Sequence, residues 1–135
     1  MIKPLLIIAA SYLLAIGLAL LIVPVRFGID AVPENPPSEL VALLRLLGGP
    51  FLGIAALNWL CRNATPSPVR DAVLAANLIG FGVVAANDVV GVATGHARDL
   101  ARVFLVIHAA FAVAFLLAFV RTRTSRDPSE PHPAE

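Results

Sequence analysis

The sequence predicts an all-α fold: an integral membrane bundle of four transmembrane helices running up-down-up-down. Three observations carry this. The 135 residues are 59% hydrophobic and 14% charged, with mean hydropathy +0.86, whereas soluble domains carry roughly 25% charged residues. Four apolar runs, at about 5–23, 39–61, 68–93 and 97–120, are each long enough to cross a hydrocarbon core as a helix, which takes about 20 residues. The third run contains AVLAANLIGFGVVAANDVVGVA at 72–93, with Asn77, Asn87 and Asp88 inside it. Hydrocarbon does not tolerate such groups facing outward. Asn77, Gly80, Val84, Asp88 and Gly91 recur at steps of three and four and share one helical stripe. A helix with a polar, small-residue stripe needs partner helices, and the other three runs supply them.

The length suits one domain, 1–120, followed by a polar tail. A net charge of +1 makes no electrostatic case for nucleic acid. The single cysteine, Cys61, excludes an internal disulfide and a CxxC redox motif. No helix carries HExxH, GxGxxG or a phosphate-binding loop pattern. The two halves share no motif, so an inverted-repeat transporter is not indicated.

The first run opens with one cation, Lys3, and then has no charge to residue 23. It is longer than the apolar core of a cleavable signal, about 7–15 residues, and Pro24-Val25-Arg26 follows it instead of a small-residue cleavage site. It reads as a retained first span. Ser11 and Tyr12 lie inside it, Ser11 suited to bond its own backbone and Tyr12 to reach a neighbouring helix. Residues 24–38 hold four prolines and Gly28 before Ser38 and read as a loop with no regular helix. Ser38 is expected to cap the second helix, with Glu39 in the first turn, where a negative charge suits the helix dipole. That helix contains Pro50, which predicts a kink. Gly49 and Gly53 form a GxxxG pair that permits close helix contact. Arg45, Gly48, Gly49, Leu52 and Ala56 are read as one face, and Trp59 suits the membrane interface. Ser67-Pro68 after the turn RNATPSP is a cap followed by proline at the first helical position. The fourth helix carries Phe104, Phe111, Phe115 and Phe119, read as spread around it, and a local Asp99–Arg102 pair near its start. The tail 121–135 is proline-rich and polar and reads as disordered and cytoplasmic.

Cations set the expected orientation. Lys3, Arg62, Arg70, Arg121, Arg123 and Arg126 fall on the side of the termini, against Arg26, Arg98 and Arg102 with Arg45 just inside the lipid on the other. The bias favours both termini in the cytoplasm.

Two candidate sites follow from depth. Arg45 and Asp88 each lie roughly 9 Å inside the outer surface at 1.5 Å per residue, and opposite charges at equal depth predict an intramembrane ion pair across the second and third helices. The alternative has Arg45 reaching outward to headgroups and Asp88 bonding backbone or remaining protonated. Tyr12, Asn77 and His108 lie nearer the midplane and, with Asn87, are the candidate polar pocket. The alternative there is an interhelical hydrogen-bond network. Haem usually takes two axial ligands, and His108 is the one histidine inside a span. No metal, cofactor or catalytic set is indicated.

Pro24-Val25-Arg26-Phe27-Gly28-Ile29 after the first span, Arg45-Leu46-Leu47-Gly48-Gly49 in the second, and Leu57-Asn58-Trp59-Leu60-Cys61-Arg62 at its end together resemble the small bacterial four-helix membrane proteins called DoxX-like. The resemblance covers about 5–120. It implies a bacterial inner-membrane protein. Some members of that family accompany quinone-linked oxidoreductases or redox-stress systems, and the resemblance transfers a fold more safely than an activity. The expected function is a multi-pass protein without catalysis of its own, an accessory or ligand-binding subunit for a lipid or quinone-like molecule in the bilayer, with a second copy or another membrane protein as partner. The alternative is a small oligomeric transporter or channel.

Overall fold

The computed structural model describes residues 2–98 and 100–124. Among these residues five helices follow in order: α1 (Ile2–Ile22), α2 (Pro24–Phe27), α3 (Ser38–Cys61), α4 (Pro68–Ala93) and α5 (Ala101–Thr124). α1, α3, α4 and α5 are each long and apolar enough to cross a membrane, and no strand occurs among the described residues. The molecule is a four-helix membrane bundle.

Local chemistry accounts for most boundaries. Ser67 Oγ accepts the Arg70 amide at 3.2 Å, with Pro68 at the first helical position of α4, as the sequence predicts. At the start of α3 the expectation fails: Ser38 is the first helical residue, Pro37 holds the cap position, and no side chain caps the helix. The segment read as an irregular loop contains the one-turn helix α2, because Pro24 sits at its first position, where a missing N–H costs nothing. α3 is continuous through Pro50. α5 runs on to Thr124, so residues 121–124 belong to the helix and not to a tail. The Asp99–Arg102 pair and the tail beyond 124 lie outside the described residues.

The bundle is built from two tight pairs. α1 packs along α3 and α4 along α5, whereas α3 and α4 touch little beyond their connecting turn. The α1–α3 pair closes at Gly17 and Gly48. A Cβ on Gly48 would lie 2.7 Å from the Gly17 carbonyl oxygen and 2.7 Å from Leu21 Cγ, so only glycine admits this backbone approach. Gly49 and Gly53 have open space where a Cβ would go and make no such contact. The inward stripe of α3 is Gly48, Ala55 and Asn58, with Leu44 half-buried above them, while Arg45, Gly49 and Ala56 are exposed. The face read from the sequence was rotated by one residue, about 100°.

Between the pairs lies the core: Leu6, Ala9 and Leu13 of α1, Ala55 of α3, Val73, Leu74 and Phe81 of α4, and Phe111, Phe115 and Ala118 of α5. Phe81 stacks on Phe111 at 4.5 Å and on Phe115 at 5.8 Å between ring centroids. The phenylalanines of α5 do not spread around it. Phe111 and Phe115 are buried, Phe104 and Phe119 half-buried, because steps of seven and four return to one side of a helix.

Candidate functional site

The two pairs leave a cavity of about 420 Å³ between them. Its walls are mostly apolar: Leu13, Ile16 and Leu20 of α1, Phe51 and Ile54 of α3, Phe81 and Val84 of α4, and Phe104 of α5 are among them. Ile54, Gly80 and Val84 line it and are exposed, so it opens sideways between α3 and α4, where those helices splay apart.

One polar chain crosses this wall. His108 Nδ1 lies 2.6 Å from Asp88 Oδ2, and His108 Nε2 lies 2.7 Å from the Tyr12 hydroxyl. Three helices contribute one member each: α1 Tyr12, α4 Asp88 and α5 His108. The directions follow from valence. An ionised carboxylate only accepts, so Nδ1 carries its hydrogen toward Asp88. In neutral His108, Nε2 is then the acceptor and the Tyr12 O–H donates to it. In the imidazolium, Nε2–H donates to the Tyr12 oxygen, and the phenolic hydrogen is released toward the cavity. The chain is satisfied in both charge states, and each presents a different face of Tyr12 to an occupant. Ring packing holds the imidazole. Phe104 stacks on it at 5.9 Å, Phe81 lies at 6.2 Å and Tyr12 meets it edge-on. The side chains of His108 and Asp88 are 13% and 15% exposed, and their pairing relieves the cost of a lone carboxylate in hydrocarbon.

Arg98, in the connection between α4 and α5, lines one end of the cavity. Its Nη1 donates to the Phe27 carbonyl at 2.6 Å, and its guanidinium lies 5.5 Å from the Phe27 ring and 5.0 Å from the Phe104 ring. At the other end Asn77 joins the lining. Asn58 and Asn77 exchange amide hydrogen bonds at 2.8 and 2.7 Å, and Asn77 also donates to the Val73 carbonyl at 2.8 Å. Both asparagines are buried. This reciprocal pair fastens α3 to α4 below the opening.

The predicted Arg45–Asp88 ion pair is not formed. Asp88 bonds His108, and Arg45 is exposed on α3. Depth placed the two residues at one level, but α3 turns its inward face to α1, and Arg45 points about 100° away from the stripe through Leu44 and Gly48. Of the candidate polar pocket, Tyr12, Asn77 and His108 meet at one cavity, while Asn87 is exposed and takes no part. Sequence reasoning missed Asp88 as the histidine's partner, Asn58 as the partner of Asn77, and Arg98 as a cation lining the cavity. The first was within reach: a lone carboxylate and a lone histidine, each inside an adjacent span, are the obvious pair. Among the described residues no group of three or more His, Cys, Asp or Glu converges. No family model, curated protein or solved structure matches the chain.

Proposed function

We propose that this is a membrane-embedded binding protein without catalysis of its own, an accessory subunit that takes a quinone-type molecule from the bilayer into the cavity between α3 and α4. The observation that carries this is the Tyr12–His108–Asp88 chain set into an apolar, aromatic-walled cavity. A quinone ring needs flat apolar walls and a hydrogen-bond group at its oxygen. Small-ligand sites commonly occupy about 300–1,000 Å³, and this cavity falls in that range. Tyr12 suits both forms of such a ligand. Its O–H serves a carbonyl acceptor when His108 is charged, and its oxygen serves a hydroxyl donor when His108 is neutral. The side opening lets an apolar molecule enter from the lipid without crossing water. The DoxX-like resemblance, with its association with quinone-linked systems, points the same way.

The test is titration of the purified full chain in neutral detergent with a short-chain ubiquinone analogue, read by equilibrium dialysis. Saturable binding should weaken about tenfold in Tyr12→Phe, the loss of one buried hydrogen bond, and disappear in His108→Phe. Equal partitioning into empty micelles would refute the reading. Quinone-independent flux of a solute through vesicles containing the protein would replace it with the transporter reading.

In this reading the protein lies in a bacterial inner membrane with both termini in the cytoplasm, following the cation bias. A reporter active only in the periplasm, fused after Glu135, should be silent; activity there reverses the topology.

A further inference from the structure

The polar groups at the cavity are of two kinds. Asn58 and Asn77 are buried and exchange amide hydrogen bonds, and neither side chain titrates. The Tyr12–His108–Asp88 chain is open at one end. It starts on a carboxylate, passes through both nitrogens of one imidazole at 2.6 and 2.7 Å, and ends on the hydroxyl of a cavity-lining tyrosine. A clasp between helices needs a bond at each contact. It does not need a titrating chain whose last hydrogen is within reach of a ligand.

Proton count fixes what that hydroxyl offers. Without an added proton on the Asp88–His108 pair, the imidazole hydrogen lies on Nδ1 and Nε2 accepts. The Tyr12 hydrogen is then committed to Nε2, and only the Tyr12 oxygen, an acceptor, remains for the cavity. One proton more puts hydrogen on Nε2, whether the hydrogen between Nδ1 and Oδ2 stays with the nitrogen or the oxygen. Nε2–H donates to the Tyr12 oxygen, and the phenolic hydrogen turns to the cavity. The switch therefore belongs to the pair and not to one residue. Among the described residues, the charged or titratable side chains lining the cavity are Tyr12 of α1, Asp88 of α4, His108 of α5 and Arg98 of the connection, while α2 contributes Phe27 and α3 contributes Phe51 and Ile54. Arginine stays charged throughout the physiological range, so Arg98 leaves the order of the two states unchanged.

We infer that this chain makes the site tell quinone from quinol by one proton: the quinone needs the protonated pair, whereas the quinol does not. The inference rests on the quinone reading above. A quinone oxygen only accepts, so against the unprotonated pair it meets the bare Tyr12 oxygen and makes no bond. A quinol hydroxyl donates to that same oxygen. By linkage, binding of the quinone draws a proton from water onto the pair, and exchange for quinol returns it to water. No bond within the ligand forms or breaks, and no electron passes.

Equilibrium dialysis of the full chain in neutral detergent tests it, with the short-chain ubiquinone analogue and, anaerobically, its quinol. The measurements span about pH 5 to 8, where imidazoles change charge. Phenolic hydroxyls titrate at about pH 10, so the quinol stays neutral. From the acid to the alkaline end, quinone affinity should fall about tenfold, the worth of one buried hydrogen bond, while quinol affinity holds or rises. Tyr12→Phe should lower the acid-end quinone affinity to the alkaline level and flatten the profile. Calorimetry in buffers of different protonation enthalpy needs no variant. It should count about half a proton taken up per quinone bound where the affinity falls most steeply, the uptake that a tenfold preference entails. Saturable binding of both ligands with a flat quinone profile, or without proton uptake, overturns the inference and leaves the quinone reading standing. A fall undiminished in folded Tyr12→Phe overturns it too, by placing the titrating group elsewhere. No saturable binding of either ligand at any pH removes the reading and the inference together.

Discussion

Asp88 and His108 each stabilise the other inside a span, and neither is tolerable there alone. Replacing Asp88 with leucine strands the Nδ1–H of His108, and a buried donor without a partner costs about 1–3 kcal/mol. Replacing both residues with leucine removes donor and acceptor together. The double variant should therefore be more stable than the sum of the single changes by about 0.5–3 kcal/mol, the range for residues in one hydrogen-bonded network. Arg45 belongs to no such network. Arg45→Gln should move stability by less than about 0.5 kcal/mol and combine additively with Asp88→Leu. Thermal unfolding in detergent measures all five variants, and a coupling between residues 45 and 88 would contradict the site as described. The Asn58–Asn77 pair follows the same logic with neutral groups: each amide supplies the donor and the acceptor that the other lacks.

At the scale of the helix, glycine position decides which spans meet. Gly17 and Gly48 let α1 and α3 touch backbone to backbone, while Gly49 and Gly53, one and five residues along from Gly48, face open space. Gly48→Ala should cost about 1–3 kcal/mol, since the added methyl overpacks a closed contact. Gly53→Ala should be neutral or stabilise by up to about 1 kcal/mol through helix propensity. Equal losses from both would place the close contact elsewhere on α3. A GxxxG pattern therefore marks a helix as able to pack closely, but it does not identify which glycine meets a partner. That choice depends on the rotation of α3, and the rotation is set by what the whole face buries: Gly48, Ala55 and Asn58 inward, Leu46 and Leu60 outward.

For the molecule as a whole, the consequence of building from two pairs is a gap. A short turn holds the ends of α3 and α4 together and leaves their other ends free to part, so the cavity opens on the lipid side. Gly80 stands on that opening, with nothing near the place of a Cβ. Gly80→Phe should fill the cavity, abolish binding of the quinone analogue and leave the melting temperature within about 2 °C, because a surface-accessible space absorbs the ring without strain. Retained affinity in the folded variant would mean that the ligand sits elsewhere.

The four spans, their approximate limits, the Ser67 cap and the presence of polar groups needing partners were legible in the sequence. They rest on hydropathy, length and local capping, which act within one stretch of chain. Tyr12, Asn77 and His108 were legible as candidates for the same reason: each is a polar group inside an apolar run. Their partners were not. Asp88 takes His108 rather than Arg45, Asn58 takes Asn77, and Gly48 rather than Gly49 meets Gly17, and each of these choices turns on helix rotation and on which helices lie side by side. One residue of rotation is about 100°, enough to send a side chain from the core to the lipid. Apolar helices in hydrocarbon gain no hydrophobic free energy from choosing one neighbour over another. The pairing is decided by backbone approach and polar satisfaction across helices distant in sequence, and these exist only once the tertiary structure has formed.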